Sequence, residues 1–411
     1  MLTASARVAS FFIATLLIFS LVFPTALIGI KFILLILALL FTLISSLARA
    51  DLNLYVLLAG LFYSGVGLVW SIYGELRGNA GALQVLTVMV VYPVLFVLLA
   101  ISYRGQSEAL GKLFFYAALL IAVLDIFFVF GNYLFSYNPV YESMAAMYGD
   151  AAVVDNAGRY IKFTIPKVSS LIFLIPYVVS YLLCRKFSLS GLFLLALLLL
   201  VAFVSGRRAL LLVAFTAPFL AYFLTLGADR FQWKVISRVL LVFIVFMLGF
   251  LIFYNTYPEY VENLFLSISN FSDNDSNLER RYQFEALMKG VYQQPFFGMG
   301  AGAIADYIRS EEMPWAYELF YVSLVFQYGI LGFLFYALGV LFLLVFLVLR
   351  VRKIGRRSFE FCYLSGMLAF LMATATNPYL AKFDYMWVIF IPVALLNYSA
   401  VSRGKDGKSN Y

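Results

Sequence analysis

The clearest guide to how this chain folds is the stretch at 188–226, which reads SLSGLFLLALLLLVAFVSGRRALLLVAFTAPFLAYFLTL. It contains two apolar runs, 188–205 and 209–226, and each is long enough to cross the hydrocarbon core of a bilayer as a helix. Gly206 lies between the runs and permits a sharp turn. The stretch therefore predicts two membrane-spanning helices with a pair of arginines at their junction.

The whole chain shares this apolar character. Of its 411 residues, 64% are hydrophobic and 12% are charged, whereas about 25% of the residues in a typical soluble domain are charged. So few charged side chains cannot cover a globule, which excludes a soluble enzyme, a disordered protein and a nucleic-acid-binding domain. The chain has no histidine, which excludes metal sites and nucleophile systems that depend on an imidazole.

Apolar runs of about 17 to 25 residues recur along the sequence and predict an all-α, polytopic membrane protein with about 12 transmembrane helices. The tenth run is the longest, and Gly329 and Gly332 in its middle predict a bend or a split. The runs lie at 8–30, 32–48, 54–73, 82–101, 112–135, 168–183, 188–205, 209–226, 236–254, 317–349, 359–376 and 384–401.

The basic residues predict the orientation in the membrane. A cluster of five cations follows the tenth run, and loops rich in Lys and Arg stay on the cytoplasmic side. Both termini are therefore expected in the cytoplasm, with two large loops outside, at 136–167 and 255–316. The cluster comprises Arg350, Arg352, Lys353, Arg356 and Arg357.

This topology predicts one subdomain outside the membrane, in the larger of the two outer loops. Leu278–Val291 in that loop predicts an amphipathic helix, with Phe284 among the apolar residues near one face. The expected organisation is helices 1–9 in 1–254, the large periplasmic loop at 255–316, helices 10–12 in 317–402 and a cytoplasmic tail at 403–411.

Arg207 and Arg208 are the strongest indication of a functional site. They lie in the first turn of a predicted helix at the outer surface, where the helix dipole and the positive-inside bias both disfavour a cation. A bound anion would remove both penalties, because helix N-termini and guanidinium groups favour phosphate. The alternative is that both side chains extend to the interface as end caps.

A second pair, Arg280 and Arg281, begins the predicted helix of the large loop. Acidic neighbours offer the alternative of a solvated ion-pair cluster. The D-x-D triplet at 273–275 has the form with which some enzymes hold a divalent metal. A stretch of Asp and Asn is first of all a turn, however, so no metal site is predicted.

The sequence Gly298-Met299-Gly300-Ala301-Gly302 resembles part of a dinucleotide-binding loop. Such a loop needs a preceding strand, and none is predicted here. A flexible turn at the outer surface is therefore expected. Its glycines would still let the backbone amides of Gly298 and Gly300 approach a phosphate.

Three further residues are candidates for function. Glu318 lies at the outer start of the tenth helix, where a carboxylate suits the helix dipole and a capping role is sufficient. It is also placed to act as a general base toward a hydroxyl, although nearby arginines would weaken it. Tyr321 belongs to a set of outer aromatic residues that either form an interfacial belt or stack on sugar faces. Asp125 lies within a span, which is costly unless it is paired or hydrated.

Several of these residues lie in segments that resemble the O-antigen polymerase and O-antigen ligase superfamily. Val204–Leu211 resembles the S-R-x-A-L stretch of that family. Arg280 and Arg281, followed by Gln294–Gly300, look like its outer-loop pattern, in which an arginine precedes a helix that ends in a P-x-x-G-x-G turn.

The start of the tenth helix adds to this resemblance. Glu318–Tyr321, with Gly329–Gly332 downstream, is similar to the family's H-N-x-Y and G-x-x-G motifs. The spacing places Glu318 where ligases carry histidine. The resemblance covers about residues 190–350.

The resemblance implies a GT-C-like glycosyltransferase of the bacterial inner membrane that works at its periplasmic face without a cofactor. Its substrate would be an oligosaccharide linked to undecaprenyl pyrophosphate, with membrane lipid and a chain-length regulator protein as further partners. A polymerase transfers the growing glycan onto a lipid-linked repeat unit, whereas a ligase transfers it onto lipid A core. The missing histidine departs from the ligase pattern and favours a polymerase.

The resemblance also implies roles for the candidate residues. As the glycosidic C–O bond breaks, negative charge grows on the pyrophosphate, and preplaced guanidinium groups stabilise this charge. The expected catalytic residues are Arg207, Arg280 and Arg281, with Glu318 as the base. The expected substrate-binding residues are Arg208, Tyr321, Gly298 and Gly300.

Two other classes of function stay open. A transporter or flippase of lipid-linked sugars commonly has about twelve spans, but it lines its path with several intramembrane charges. The sequence indicates Asp125 alone for that role. A non-catalytic adaptor would leave the arginine pairs without a role.

Overall fold

A computed structural model describes residues 4–47, 54–103, 105–134, 137–156, 161–226, 233–256, 258–259, 261–262 and 275–406. Helices make up most of these residues, which confirms the prediction of an all-α fold. The α-helices, in chain order, are α1 Ala4–Val22, α2 Ile28–Leu47, α3 Leu54–Leu76, α4 Ala82–Leu86, α5 Tyr92–Ala100, α6 Ser107–Leu134, α7 Pro139–Tyr148, α8 Leu171–Ser180, α9 Leu189–Val204, α10 Arg208–Leu224, α11 Trp233–Thr256, α12 Asp275–Gln293, α13 Phe320–Ile354, α14 Phe359–Thr374 and α15 Trp387–Asp406.

The helices have the composition of a polytopic membrane protein. Each of the twelve predicted apolar runs falls on a helical segment. Six helical segments of the described chain are long and apolar enough to cross a membrane, and shorter apolar helices accompany them. That all twelve cross the bilayer stays a prediction. The six are Ala4–Val22, Ile28–Ser46, Ala82–Ala100, Ser107–Gly131, Pro166–Arg185 and Phe320–Ile354.

The first helix is shorter than the sequence predicts. α1 ends at Val22 rather than at residue 30, because Pro24 cannot donate a backbone hydrogen bond and disfavours helical backbone before it. Thr25 and Leu27 then adopt φ angles of 64° and 54°, and α2 begins at Ile28. The turn leaves the amide of Thr25 free to donate to a side chain far along the chain.

The predicted outer loop at 136–167 also contains regular secondary structure, which the sequence did not indicate. Asn138 caps α7 by accepting hydrogen bonds from two backbone amides, and Pro139 occupies the first helical position. Strand β1 (Val153–Asn156) then pairs antiparallel with β2 (Ile161–Thr164). Local capping and a short hairpin give this loop structure without the apolar periodicity that marks a longer element.

α8 and α14 form the centre of the bundle. All ten residues of α8 are buried, and the helix packs against α10 and α14. The hydroxyl groups of Ser180 on α8 and Ser365 on α14 are hydrogen-bonded at 2.6 Å. The segments next to these two helices carry the polar residues described below. The buried packing of α8 and α14 therefore holds those residues in position.

α13 is broken at Gly329, which confirms the predicted bend or split. Gly329 has φ 65° and ψ 179°, a conformation that glycine adopts at little cost. The break frees backbone groups that would otherwise bond within the helix. The amides of Ile330 and Leu331 instead donate at 2.8 and 3.2 Å to carbonyls of residues 294–302, called the glycine loop below.

The glycine loop also bonds to the other side of the break. The amides of Met299 and Gly300 donate to the carbonyls of Phe326 and Gln327 at 2.8 and 2.9 Å. Trp70 of α3 donates an indole hydrogen bond to the loop at 2.8 Å. The loop therefore fixes the outer part of α13 to α3.

α12 confirms the amphipathic helix predicted in the large loop. Leu287 and Val291 are buried in a small cluster with residues of α13 and the preceding loop. Phe284 departs from the prediction, since it is 47% exposed. The buried stripe passes instead through Gln283, whose side chain accepts a hydrogen bond from the amide of Glu318 at 3.0 Å.

Gly329→Ala is expected to destabilise the protein by about 2 kcal/mol or more. Backbone with φ near 65° and ψ near 180° is essentially restricted to glycine and costs other residues roughly 1–3 kcal/mol, and this Cβ would lie 2.1 Å from the Phe296 carbonyl oxygen. Thermal unfolding in detergent measures the change.

Gly339→Ala is the matched control in the same helix. Its Cβ would meet no atom closer than 3.7 Å, and alanine is the better helix former by roughly 0.5–1 kcal/mol. Equal unfolding temperatures for the two variants would contradict the role assigned to the break.

Candidate functional site

The structure gathers the candidate residues into two clusters at one end of the bundle. This is the end that the sequence assigns to the outer face, and it is called the outer end below. The first cluster surrounds Glu318 and includes Arg280. The second surrounds Arg207. Arg207 and Arg280, which were expected to act together, therefore contact different residues.

Glu318 precedes α13 and is held by two guanidinium groups. Arg280 Nε lies 2.8 Å from Glu318 Oε2, and Arg309 Nη2 lies 2.7 Å from Oε1. The side chain of Glu318 is 9% exposed. Both carboxylate oxygens are thus engaged, and a hydroxyl that gives its proton to Glu318 has to compete with these donors.

Arg309 is a member of this cluster that the sequence reasoning missed. It bridges two carboxylates, since Glu279 Oε2 lies 3.8 Å from its Nε. Arg280 and Arg309 therefore face Glu279 and Glu318, and the four charges balance. No motif marks Arg309, because the loop that contains it has neither periodicity nor regular secondary structure.

Arg281 does not reach Glu318. Its side chain is 73% exposed and pairs with Glu285, one turn further along α12, at 3.0 Å. Such a pair on a solvated helix face contributes little to stability. The geometry does not support the expected catalytic role of Arg281.

The amides of Gly298 and Gly300 are already engaged. The first donates to the Gln294 carbonyl and the second to the Gln327 carbonyl, both at 2.9 Å. A Cβ on Gly298 would lie 2.4 Å from the nitrogen of Gly329. Close packing against the break in α13 therefore accounts for this glycine, and the geometry does not support phosphate binding by either amide.

Tyr321 is directed into the bundle. Its hydroxyl donates to the Leu371 carbonyl of α14 at 2.7 Å. Its ring lines an apolar cavity of about 230 Å³, together with Tyr63 and Tyr336. Stacking of this ring on a sugar stays a prediction.

Arg207 immediately precedes α10, and both of its terminal nitrogens are anchored. Nη1 donates to the Ser169 hydroxyl at 2.7 Å, and Nη2 donates to the Ile165 carbonyl at 3.2 Å. Its side chain is half-buried, and no carboxylate in the described part of the chain forms an ion pair with it. Arg208 is the first residue of α10, but its side chain lies outside what the structure describes.

Two buried ion pairs lie near Arg207. Asp125 of α6 pairs with Lys167 at 3.0 Å, and both side chains are fully buried. Lys31 of α2 pairs with Asp384 at 2.6 Å. The sequence marks Asp125 as costly but indicates neither its partner nor the second pair. The sequence does indicate that such partners must exist, because a charge within or beside an apolar run needs a partner in a membrane.

α7 covers these ion pairs from the outer loop. The Lys167 ammonium contacts the Met144 sulfur at 3.7 Å. The hydroxyl of Tyr148 is buried and has no hydrogen-bond partner among the described residues. Burial, and then the nearby charges of Asp384 and Asp125, raise the pKa of Tyr148. Tyr148 therefore stays protonated beside the two carboxylates.

The D-x-D triplet lies at the edge of the described chain. Asp273 and Asn274 are outside the described residues, and Asp275 is the first residue of α12. Within the described residues, no group of three or more Cys, Asp or Glu side chains is arranged to hold a metal ion.

Breaking the pair of Asp125 and Lys167 from one side is expected to be strongly destabilising. Lys167→Met leaves a buried carboxylate and Asp125→Leu leaves a buried ammonium, and each change should cost about 3–5 kcal/mol. The double variant removes both charges, so its loss should be much smaller. Unfolding in detergent tests this, and losses that simply add would show that the two groups do not interact.

A comparison with known protein families gives a match over the part of the chain that contains most of these residues. Residues 193–337 match the family described as O-antigen ligase, and this range contains Arg207, Arg280, Glu318 and Tyr321. None of the curated proteins matches the chain significantly. The match confirms the resemblance seen in the sequence motifs: residues 193–337 are similar to the O-antigen ligase and polymerase superfamily.

Proposed function

We propose that this protein is a polymerase of lipid-linked glycan repeat units at the periplasmic face of the bacterial inner membrane. The family match and the apolar helices support a multi-pass membrane enzyme that acts on lipid-linked oligosaccharides. The choice of polymerase over ligase rests on position 318. Ligases carry histidine there, whereas this chain has Glu318 and contains no histidine.

The proposed reaction joins two lipid-linked glycans. A hydroxyl of the terminal sugar on the incoming repeat unit attacks the anomeric carbon of the growing glycan. A glycosidic bond forms, and the bond from that carbon to the diphosphate oxygen breaks. The hydroxyl proton goes to a base, and undecaprenyl diphosphate leaves with the electron pair of the broken bond.

Arg207 is the residue on which this proposal depends most. Its guanidinium is anchored through Ser169 and Ile165 and pairs with no described carboxylate. A fixed cation of this kind stabilises the negative charge that grows on the leaving diphosphate more than it stabilises the ground state. The start of α10 adds the positive end of a helix dipole.

Glu318 is the proposed base for the acceptor hydroxyl. It lies at the position of the ligase histidine, and Arg280 and Arg309 fix its carboxylate. The acceptor hydroxyl would displace one of these guanidinium groups when it binds. The released arginine is then free to contact the substrate.

A flippase of lipid-linked sugars is the second candidate. The buried charges are more numerous than the single intramembrane acid that the sequence indicated, and such charges mark transport paths. The charges of Lys31, Asp125, Lys167 and Asp384 are paired, however, and lie toward the outer end, whereas the buried Arg356 and Glu360 lie at the opposite end. A flippase needs polar groups along the whole span.

Arg207→Ala is expected to reduce polymer formation at least about hundredfold, because loss of one preplaced donor to a developing oxyanion costs about 10² to 10³ in rate. The test uses a strain without this protein, complemented with wild type or variant, and a gel of its lipopolysaccharide. Failed complementation should leave core with one repeat unit. Arg77→Ala is the matched control, since Arg77 is exposed at the end of α3 and contacts the ring of Tyr73.

Other results would change the assignment. Core without any repeat unit would indicate a ligase, or a flippase that acts earlier. An unchanged lipopolysaccharide ladder in the strain without this protein would exclude the O-antigen role. It would indicate a role in another surface polysaccharide or in transport. Loss of polymer in Arg77→Ala as well would show a general effect of charge at the outer end.

The variant Glu318→Gln distinguishes two roles for Glu318, a general base and a side chain that only holds the two arginines. If Glu318 takes the proton, the glutamine variant should lose about 10²–10⁴ in rate, because an amide cannot act as a base. If Glu318 only holds the arginines, the amide oxygen should retain part of the activity. Rates of chain extension by the purified protein measure this, with Arg309→Ala to remove one partner and keep the carboxylate.

A further inference from the structure

An elongated apolar cavity runs along α1 from the end of the bundle opposite the outer end. Residues of α1, α5, α6 and α15 line it, and its volume is about 410 Å³. Its lining on α1 extends from Arg7 to Ser20, which is about 20 Å along the helix axis at 1.5 Å per residue. No residue of the clusters around Glu318 and Arg207 lines this cavity, so the proposed reaction does not account for it.

The polar side chains of the lining are concentrated at one end of the cavity, near the beginning of α1. They are Arg7, Ser10, Ser102, Tyr103 and Gln106. Four of them are engaged within the protein, and Gln106 Nε2, for example, donates to the Ser10 hydroxyl at 3.3 Å. Arg7 differs, because it is exposed and forms no ion pair or hydrogen bond with any described residue. This end of the cavity therefore contains a cation whose charge no described residue neutralises.

The cavity opens sideways, toward the lipid. Phe11 of α1 and Ala109 of α6 both line it and are exposed, Phe11 by 64%. The surfaces of these two helices face hydrocarbon in a membrane, because both are long and apolar enough to cross one. A molecule can therefore enter from the bilayer between the first halves of α1 and α6.

The size and the lining of the cavity fit a single hydrocarbon chain. Apolar cavities hold no ordered water and bind apolar molecules instead. A helix with its side chains is about 10–12 Å across, so a protein segment needs far more room than this narrow volume provides. One leaflet contributes about half of the roughly 30 Å of hydrocarbon in a bilayer, so an acyl chain of that leaflet is comparable in length to the cavity.

We propose that this cavity binds one acyl chain of an anionic phospholipid from the cytoplasmic leaflet, and that Arg7 contacts the phosphate of its headgroup. The basic residues of the sequence assign this end of the bundle to the cytoplasmic side. The cytoplasmic leaflet carries anionic headgroups, and guanidinium groups match the geometry of phosphate. An arginine without a carboxylate partner, beside an apolar channel, therefore complements both parts of a phospholipid. The inference goes beyond the proposed reaction and does not depend on it.

The bound lipid contacts the part of α1 that supports Arg207. The cavity reaches the buried Ser20, and the carbonyl of the next residue, Leu21, accepts from the Ser170 hydroxyl at 2.6 Å. The neighbouring Ser169 accepts from Arg207 at 2.7 Å. An acyl chain in the cavity fills the space next to this end of α1. The lipid is therefore a structural ligand that stabilises the bundle.

Ala14→Phe tests the acyl-chain site, because Ala14 lines the cavity and a phenyl ring there occupies part of its volume. The purified full chain is stripped of lipid in detergent and titrated with phosphatidylglycerol, and native mass spectrometry measures the bound fraction. Wild type should bind one phosphatidylglycerol tightly. Ala14→Phe should weaken this binding about tenfold or more, since each methylene kept out of the cavity costs about fourfold. Ala196→Phe, on an exposed position of the apolar helix α9, is the matched control and should bind as wild type does.

Arg7→Ala tests the headgroup contact. It should reduce the preference for phosphatidylglycerol over phosphatidylethanolamine about fivefold, which is the contribution of one cation near an anionic headgroup. Arg7→Lys should retain most of this preference. Lys353→Ala is the matched control, because Lys353 is an exposed cation in the last turn of α13 that does not line the cavity.

Three results would overturn the inference. Equal binding by wild type and Ala14→Phe would place the lipid elsewhere on the protein. Equal affinity of the wild type for phosphatidylglycerol and phosphatidylethanolamine would exclude the contact between Arg7 and an anionic headgroup. Displacement of phosphatidylglycerol by equimolar undecaprenyl phosphate would assign the cavity to a polyprenyl chain instead. Thermal unfolding without added lipid distinguishes loss of the site from loss of the fold, and Ala14→Leu replaces Ala14→Phe if the larger side chain lowers the unfolding temperature.

Discussion

The hydrogen bonds between the glycine loop and the break in α13 hold the outer half of this structure together. A helix that breaks within a membrane leaves amides and carbonyls without partners, and each costs several kcal/mol in hydrocarbon unless protein satisfies it. Here the carbonyls of residues 295 and 296 and the amides of residues 299 and 300 satisfy both sides of the break. Because the glycine loop follows α12 directly, this pairing also fixes α12, and with it Arg280, against the start of α13 where Glu318 lies.

The outer end contains two charged clusters whose charges are balanced in different ways. Around Glu318, arginines and carboxylates balance, and the cluster holds a helix of the outer loop to the bundle. Near Arg207, lysines pair with Asp125 and Asp384, and Arg207 has no carboxylate partner among the described residues. The first arrangement suits a positioned proton acceptor. The second leaves one cation without a carboxylate partner, which is the arrangement that a negatively charged ligand needs.

Much of the fold follows from patterns that act locally. Apolar runs of sufficient length predict helices, and Gly329 within a run predicts a break, because both depend on the chain within one or two turns. The end of α1 at Val22 was missed because the apolar character continues through the turn at Pro24. The hairpin at 153–164 was missed because its strands are too short to establish an alternating pattern.

The site was predictable only in part for a related reason. Arg207, Arg280 and Glu318 stand in recognisable motifs, and Asp125 stands alone in an apolar run. Their partners come from distant parts of the chain: Arg309 from an irregular loop and Lys167 from the segment before α8. Nothing in a single sequence says which distant cation a buried carboxylate will meet. The hydrogen-bonding state of Gly298 and Gly300 likewise depends on where α13 breaks.

The pair of Lys31 and Asp384 sets an order of events during synthesis. The two residues are 353 positions apart, so roughly 20–70 s of translation separate them at a rate of roughly 5–20 residues per second. α1 and α2 therefore reach the bilayer with a lysine whose carboxylate does not yet exist. Lys31 is close enough to the start of α2 for its ammonium to stay in interfacial water during this time. The N-terminal helices also pack against helices that are made earlier, but the charge of Lys31 is paired only when the segment before the last helix has been made.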